Sequence, residues 1–104
     1  MKTLLTGSRV YGTPSAKSDL DVVCWVTPLE YGIIVTIADK VYEDEYDEKG
    51  IAHVRFGMLN LILVRDAKTF AAWDRGTREL IARRPVTRAQ AVQHMDRLRA
   101  GESP

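Results

Sequence analysis

Two aspartates one residue apart, Asp19 and Asp21, open the apolar run Ser18-Asp-Leu-Asp-Val-Val-Cys-Trp-Val26. The near-continuous apolar pattern from residue 20 to 26 predicts a central strand buried on both faces. Side chains alternate along a strand, so both carboxylates point one way while Leu20 and Val22 point the other. Carboxylates this close repel, and one takes up a proton unless a cation stands between them. Mg²⁺ suits such a pair, being a hard ion that takes oxygen ligands, keeps several waters and bridges to phosphates.

Upstream, Gly7-Ser8 closes a short predicted strand, residues 2–6. Gly7 lets the backbone approach a ligand closely. Ser8 offers a hydroxyl and an N–H at the start of a turn, where anions bind. Gly12 allows the chain to leave sharply. A turn suited to phosphate beside a carboxylate pair suited to a metal predicts a nucleoside triphosphate site. The spacing Gly7 to Gly12 matches a P-loop, but Thr13-Pro14 stands where Lys-Ser/Thr is required, which excludes that reading. The bland alternative, a glycine turn before exposed acids, leaves Gly7-Ser8, Gly12 and the acid pair as separate coincidences.

The rest of the chain must hold these residues in place. Residues 8–12 read as a turn and 13–15 as loop. Thr27 is set to cap a helix, with Pro28 at its first position and Glu30 completing a capping box. Leu29, Ile33, Ile34, Ile37, Ala38 and Val41 follow helical spacing, so the helix is expected to run to Val41. The acidic stretch 43–48 then reads as a solvated helix end and loop. Strands are expected over 51–56 and 59–64, with Gly57-Met58 turning between them. Asp66 is placed to cap a helix with Phe70, Trp73, Thr77, Leu80 and Ile81 on one face, ended by Pro85. Thr87 and Gln90 form a second capping box, opening a last helix with Val92, Met95 and Leu98 inward and Gly101 at its close. The order β, turn, β, α, β, β, α, α gives an α/β (α+β) domain, a small mixed sheet of about four strands covered by helices. One domain over residues 1–101 is expected, with 102–104 as a tail.

Gly7-Ser8, Gly12 and Ser18-Asp19-Leu20-Asp21 resemble the GS…G…SDxD signature of the nucleotidyltransferases of the DNA polymerase beta superfamily. The length is similar to the minimal members, including those that act as antitoxins beside small RNase toxins. The resemblance is specific over residues 4–26, about a quarter of the chain, and beyond that rests on element order. It implies that Gly7 and Ser8 hold the triphosphate and that Asp19 and Asp21 bind one or two Mg²⁺ ions. These ions would steady the attacking and leaving oxygens of an in-line displacement that releases pyrophosphate. Arg9 either reaches phosphate oxygens or is an exposed turn residue. The family usually adds a third carboxylate on a later central strand. The matching strand here, 58–64, offers only Asn60, which carries no charge and cannot act as a base. Asp66 lies six residues further, roughly 20 Å along the strand, and reads as a cap.

Two functions follow. One is a Mg²⁺-dependent transferase moving a nucleoside monophosphate from a nucleoside triphosphate, ATP by expectation, to a hydroxyl of a protein or small molecule. The other is a degenerate domain, antitoxin-like or a phage accessory protein, that binds nucleotide or a toxin-like protein partner without chemistry. Composition sets the limits. At 104 residues, 45% hydrophobic and 28% charged, the chain has the balance of an ordinary globular domain. No apolar run approaches the ~20 residues of a membrane helix, and the opening MKTLLTG is too short for a signal peptide. The lone Cys24, inside an apolar strand, reads as a reduced core thiol in a cytoplasmic protein. Residues 1–64 carry six Lys and Arg against nine Asp and Glu, a net −3, whereas 65–99 carry nine against four, a net +5. The basic residues spread over two helices without interleaved aromatics, which argues against nucleic acid as a partner. His94 is expected to be solvated, and Trp25 and Trp73 to pack in the core.

Overall fold

A computed structural model describes residues 1–7 and 20–99. Ser8, Arg9, Tyr11, Gly12, Ser18, Asp19 and Gly101 lie outside the described residues. The elements are β1 (Lys2–Thr6), β2 (Leu20–Trp25), α1 (Pro28–Ile37), β3 (Lys40–Glu45), α2 (Tyr46–Lys49), β4 (Ile51–Phe56), β5 (Leu59–Val64), α3 (Ala67–Ala82) and α4 (Arg88–Arg99). The strands form one mixed sheet in the order β1-β2-β5-β4-β3, with β2 and β5 parallel at its centre and the other pairings antiparallel.

Helices cover both faces. On one, Val23, Ile51, Ile62 and Val64 pack with Trp73 of α3, flanked by Leu4, Trp25 and Phe70. On the other, Cys24, Val26, Ala52, Val54 and Leu63 pack with Tyr46, against Tyr31, Ile34 and Val35 of α1. Burial on both sides explains the apolar runs 22–25 of β2 and 61–64 of β5. Burial also pushes the Cys24 thiol up to about 11, so it stays protonated.

The caps follow their chemistry. Thr27 accepts from the Glu30 N–H while Glu30 accepts from the Thr27 N–H, a complete capping box with Pro28 behind it. Thr87 and Gln90 repeat the exchange at α4, and Asp66 accepts from the Thr69 N–H at 2.8 Å to open α3.

Four expectations are corrected. The helix begun at Pro28 ends at Ile37, and residues 40–45 add a fifth strand that pairs with β4, so Val41 is a strand residue. The acidic stretch 43–48 is therefore part strand and part the short helix α2, not a helix end and loop. An edge strand needs only one partner, and charged side chains on it are well tolerated. On α4, Val92 is 49% exposed and Ala91 takes the inward place beside Leu80. His94 is half-buried rather than solvated, its Nε2 standing 3.0 Å from the Gly76 carbonyl oxygen. A carbonyl only accepts, so that nitrogen carries the hydrogen.

Candidate functional site

β1 ends at Thr6 and turns at Gly7, whose φ of +89° lies in the left-handed region where glycine is favoured. The register of the sheet sets what stands beside this turn. Thr6 pairs with Asp21, Asp21 with Asn60, Asn60 with Arg55, and Arg55 with Lys40. Directly paired residues share a face. Thr6, Asp21, Asn60, Arg55 and Lys40 thus form one polar row across all five strands, on the α3 face and next to the apolar residues Leu4, Val23 and Ile62.

Asp21 lies over the turn. A Cβ built on Gly7 would stand 2.0 Å from the Asp21 Oδ2 and 2.8 Å from its Cγ, so no side chain fits there. The group that Gly7 makes room for here is the Asp21 carboxylate. Thr6 is fully buried, and its hydroxyl lies 2.9 Å from that of Thr77, which ties the end of β1 to α3. Asp21 and Asn60 are half-buried neighbours on parallel strands.

Further along the row, the Arg55 Nε–H donates to the Gly57 carbonyl and its Nη1 to the Tyr42 hydroxyl at 3.1 Å. Tyr42 packs on His53, ring centroids 4.8 Å apart, and Lys40 Nζ lies 4.6 Å from the Tyr42 ring centroid. The Asp39 carboxylate accepts from the Gly57 N–H and closes the β4–β5 turn. Two strand spacings separate Arg55 from Asp21, roughly 10 Å. Arg55 and Lys40 were not anticipated. The alternation of His53 and Arg55 with Ala52, Val54 and Phe56 was a legible signal for the first, while extending α1 through residue 41 hid the second.

Two further acids, Glu30 and Asp66, are committed to helix caps. The Thr27 N–H holds the Glu30 carboxyl below its usual range, and the Thr69 N–H does the same for Asp66. Among the described residues no group of three or more His, Cys, Asp or Glu side chains is gathered to hold a metal. What the described part of the row offers is a carboxylate and an amide oxygen side by side, hard donors that fit Mg²⁺ once a second carboxylate joins them. Among the described residues no helix is long and apolar enough to cross a membrane. Neither the protein-family models nor the curated proteins compared with the chain gave a match.

Proposed function

We propose that the chain is a Mg²⁺-dependent nucleotidyltransferase of the DNA polymerase beta type, acting in the cytoplasm. It moves a nucleoside monophosphate from a nucleoside triphosphate, ATP by expectation, to a hydroxyl of a protein or small molecule. The observation that carries the reading is the Asp21 carboxylate seated over Gly7, in a polar row that crosses the sheet next to the buried Val23 and Ile62. Asp21 stands half-buried beside the turn and in register with Asn60, which sets carboxylate oxygen where a phosphate-bound cation would need it.

In this reading Asp19 and Asp21 hold the metal, and Gly7, Ser8 and Gly12 shape the turn that receives the phosphates, with Ser18 and Arg9 beside them. When bound, the ion neutralises the triphosphate and orients it for in-line displacement. Arg55 and Lys40 set positive charge along the same row, which favours an anionic substrate. Asn60 cannot take the proton of the incoming hydroxyl, so that proton passes to an aspartate oxygen or to water.

The uncharged Asn60 in register with Asp21 favours a second reading, a domain that keeps the nucleotide or a protein partner without turnover. Transfer of label from α-³²P nucleotides to lysate components, with Mg²⁺, separates the two. Label that needs the native chain and vanishes in Asp19→Asn supports the transferase. Calorimetric binding of Mg·ATP with no transfer supports the second reading, and neither signal overturns both.

A further inference from the structure

We infer that the groove between α3 and α4 is a binding site for a small phosphate-bearing anion. The two helices meet at Leu80 and Ala91, both buried, with Val86 packed against them. Beside that contact lies a groove of about 280 Å³, with Leu80 and Val86 among its lining residues together with Arg83, Arg97, Gln93 and His94. None of these belongs to the polar row of the sheet, so the inference stands apart from the transferase reading.

Charge selects the ligand. Among the described residues no Asp or Glu lines the groove, and Arg83 and Arg97 make no ion pair. Elsewhere on α3, Arg78 reaches Asp74 at 3.1 Å, and Lys49 of α2 reaches Glu45 at 3.1 Å. Two guanidinium groups lining one groove repel each other, and an anion between them reverses the sign of the interaction. The planar guanidinium fork matches phosphate oxygens in pairs. Gln90, also on the groove wall, has its amide oxygen taken by the Thr87 N–H, which leaves its NH₂ as a donor. The His94 ring is fixed by the Gly76 carbonyl. Cationic and donor walls over an apolar floor suit a phosphate joined to an organic body, a phosphomonoester.

The test is calorimetric titration of the whole chain in Mg²⁺-free, low-salt buffer, with inorganic phosphate and adenosine 5′-monophosphate as probes. Saturable one-to-one binding is expected. Arg83→Gln and Arg97→Gln should each weaken it about ten- to a hundredfold, the scale of losing a charge-assisted hydrogen bond. Arg88→Gln makes the same charge change on α4 outside the groove and should leave binding unaltered, as should Asp21→Asn; thermal melts check that each variant is folded. Tighter binding of the monophosphate than of phosphate assigns the site to a phosphomonoester, and equal binding assigns it to free phosphate. The inference is overturned if neither probe saturates, or if Asp21→Asn abolishes binding. It is overturned too if Arg88→Gln costs as much as the groove variants while a short RNA binds more tightly than either probe, the mark of a diffuse cationic face.

Discussion

Two neighbouring rows of the sheet can be set side by side. Leu5, Val22, Leu61, Val54 and Val41 are paired in register across the five strands, all apolar. One residue along each strand, Thr6, Asp21, Asn60, Arg55 and Lys40 are paired in the same way, all polar. The pleat turns the first row toward α1 and the second toward α3. Burial explains the apolar row, whose central members pack under Tyr31, Ile34 and Val35. It does not explain the polar row, because one pleat further on the same face Val23 and Ile62 are buried under Trp73 of α3. Residues placed against the hydrophobic effect are where a fold gives up stability for chemistry.

Asp21→Asn probes this contrast with the largest expected effect. It keeps the shape and removes the charge. Transfer activity should fall about a thousandfold or more, the several kcal/mol that charge stabilisation supplies, while the melting temperature holds or rises. A variant that melts early yet still transfers label would show the row to be structural.

Gly7→Ala attacks the same place through the backbone. The new Cβ must displace the Asp21 carboxylate and adopt a positive φ. The left-handed conformation alone costs about 1–2 kcal/mol, and moving a reacting group by about 1 Å costs about a hundredfold in rate. Both stability and transfer should drop. Unchanged transfer would mean that Asp21 need not sit over the turn.

The apolar row should respond in the opposite way. Val54 is fully buried, and Val54→Ala removes two methyl groups from its core, worth about 2 kcal/mol with the cavity included. A chain this size then melts some 8–16 °C lower. Transfer per folded molecule should be unchanged, measured below the melting range. A loss of activity out of proportion to unfolding would couple the two rows and weaken the contrast.

Much of this was legible in the sequence, for identifiable reasons. β1, β4 and β5 were bounded by glycine turns and by runs too short for helices, and the helix starts carried reciprocal caps at Thr27–Glu30 and Thr87–Gln90. Asp21 and Asn60 were readable as odd polar residues in apolar strands; their pairing follows from the parallel register. The fifth strand was not legible, because Val41 continues the helical spacing of α1 and three of the next four residues are acidic. Spacing put Leu29, Ile33 and Ile37 on the apolar stripe of α1 with Ile34, and the structure divides that stripe. Leu29, Ile33 and Ile37 turn outward, 74%, 53% and 64% exposed, while Tyr31, Ile34 and Val35 pack inward. An apolar period names a face, and only the opposing layer decides whether it is covered.

The polar atoms on the apolar side sharpen the comparison at its smallest scale. They are satisfied within the fold. The Tyr46 hydroxyl donates to the Val26 carbonyl at 3.1 Å, and the Tyr31 hydroxyl donates to the Asp44 carboxylate, with the two rings stacked 4.0 Å apart. Burial, and then the Asp44 carboxylate, push the Tyr31 hydroxyl up to about 12. An unfolded tyrosine releases its proton near 10. Between those values the unfolded chain binds fewer protons than the native one, so stability is complete below about pH 10 and falls as pH rises toward about 12. Tyr31→Phe removes this group and should flatten that limb. Cys24 and Tyr46, both raised by burial, keep a residual slope in the variant. Urea midpoints at about pH 9 and about pH 11 measure the effect. The native chain should lose more between them than the variant does, and parallel losses would show that Asp44 does not hold the Tyr31 proton in solution.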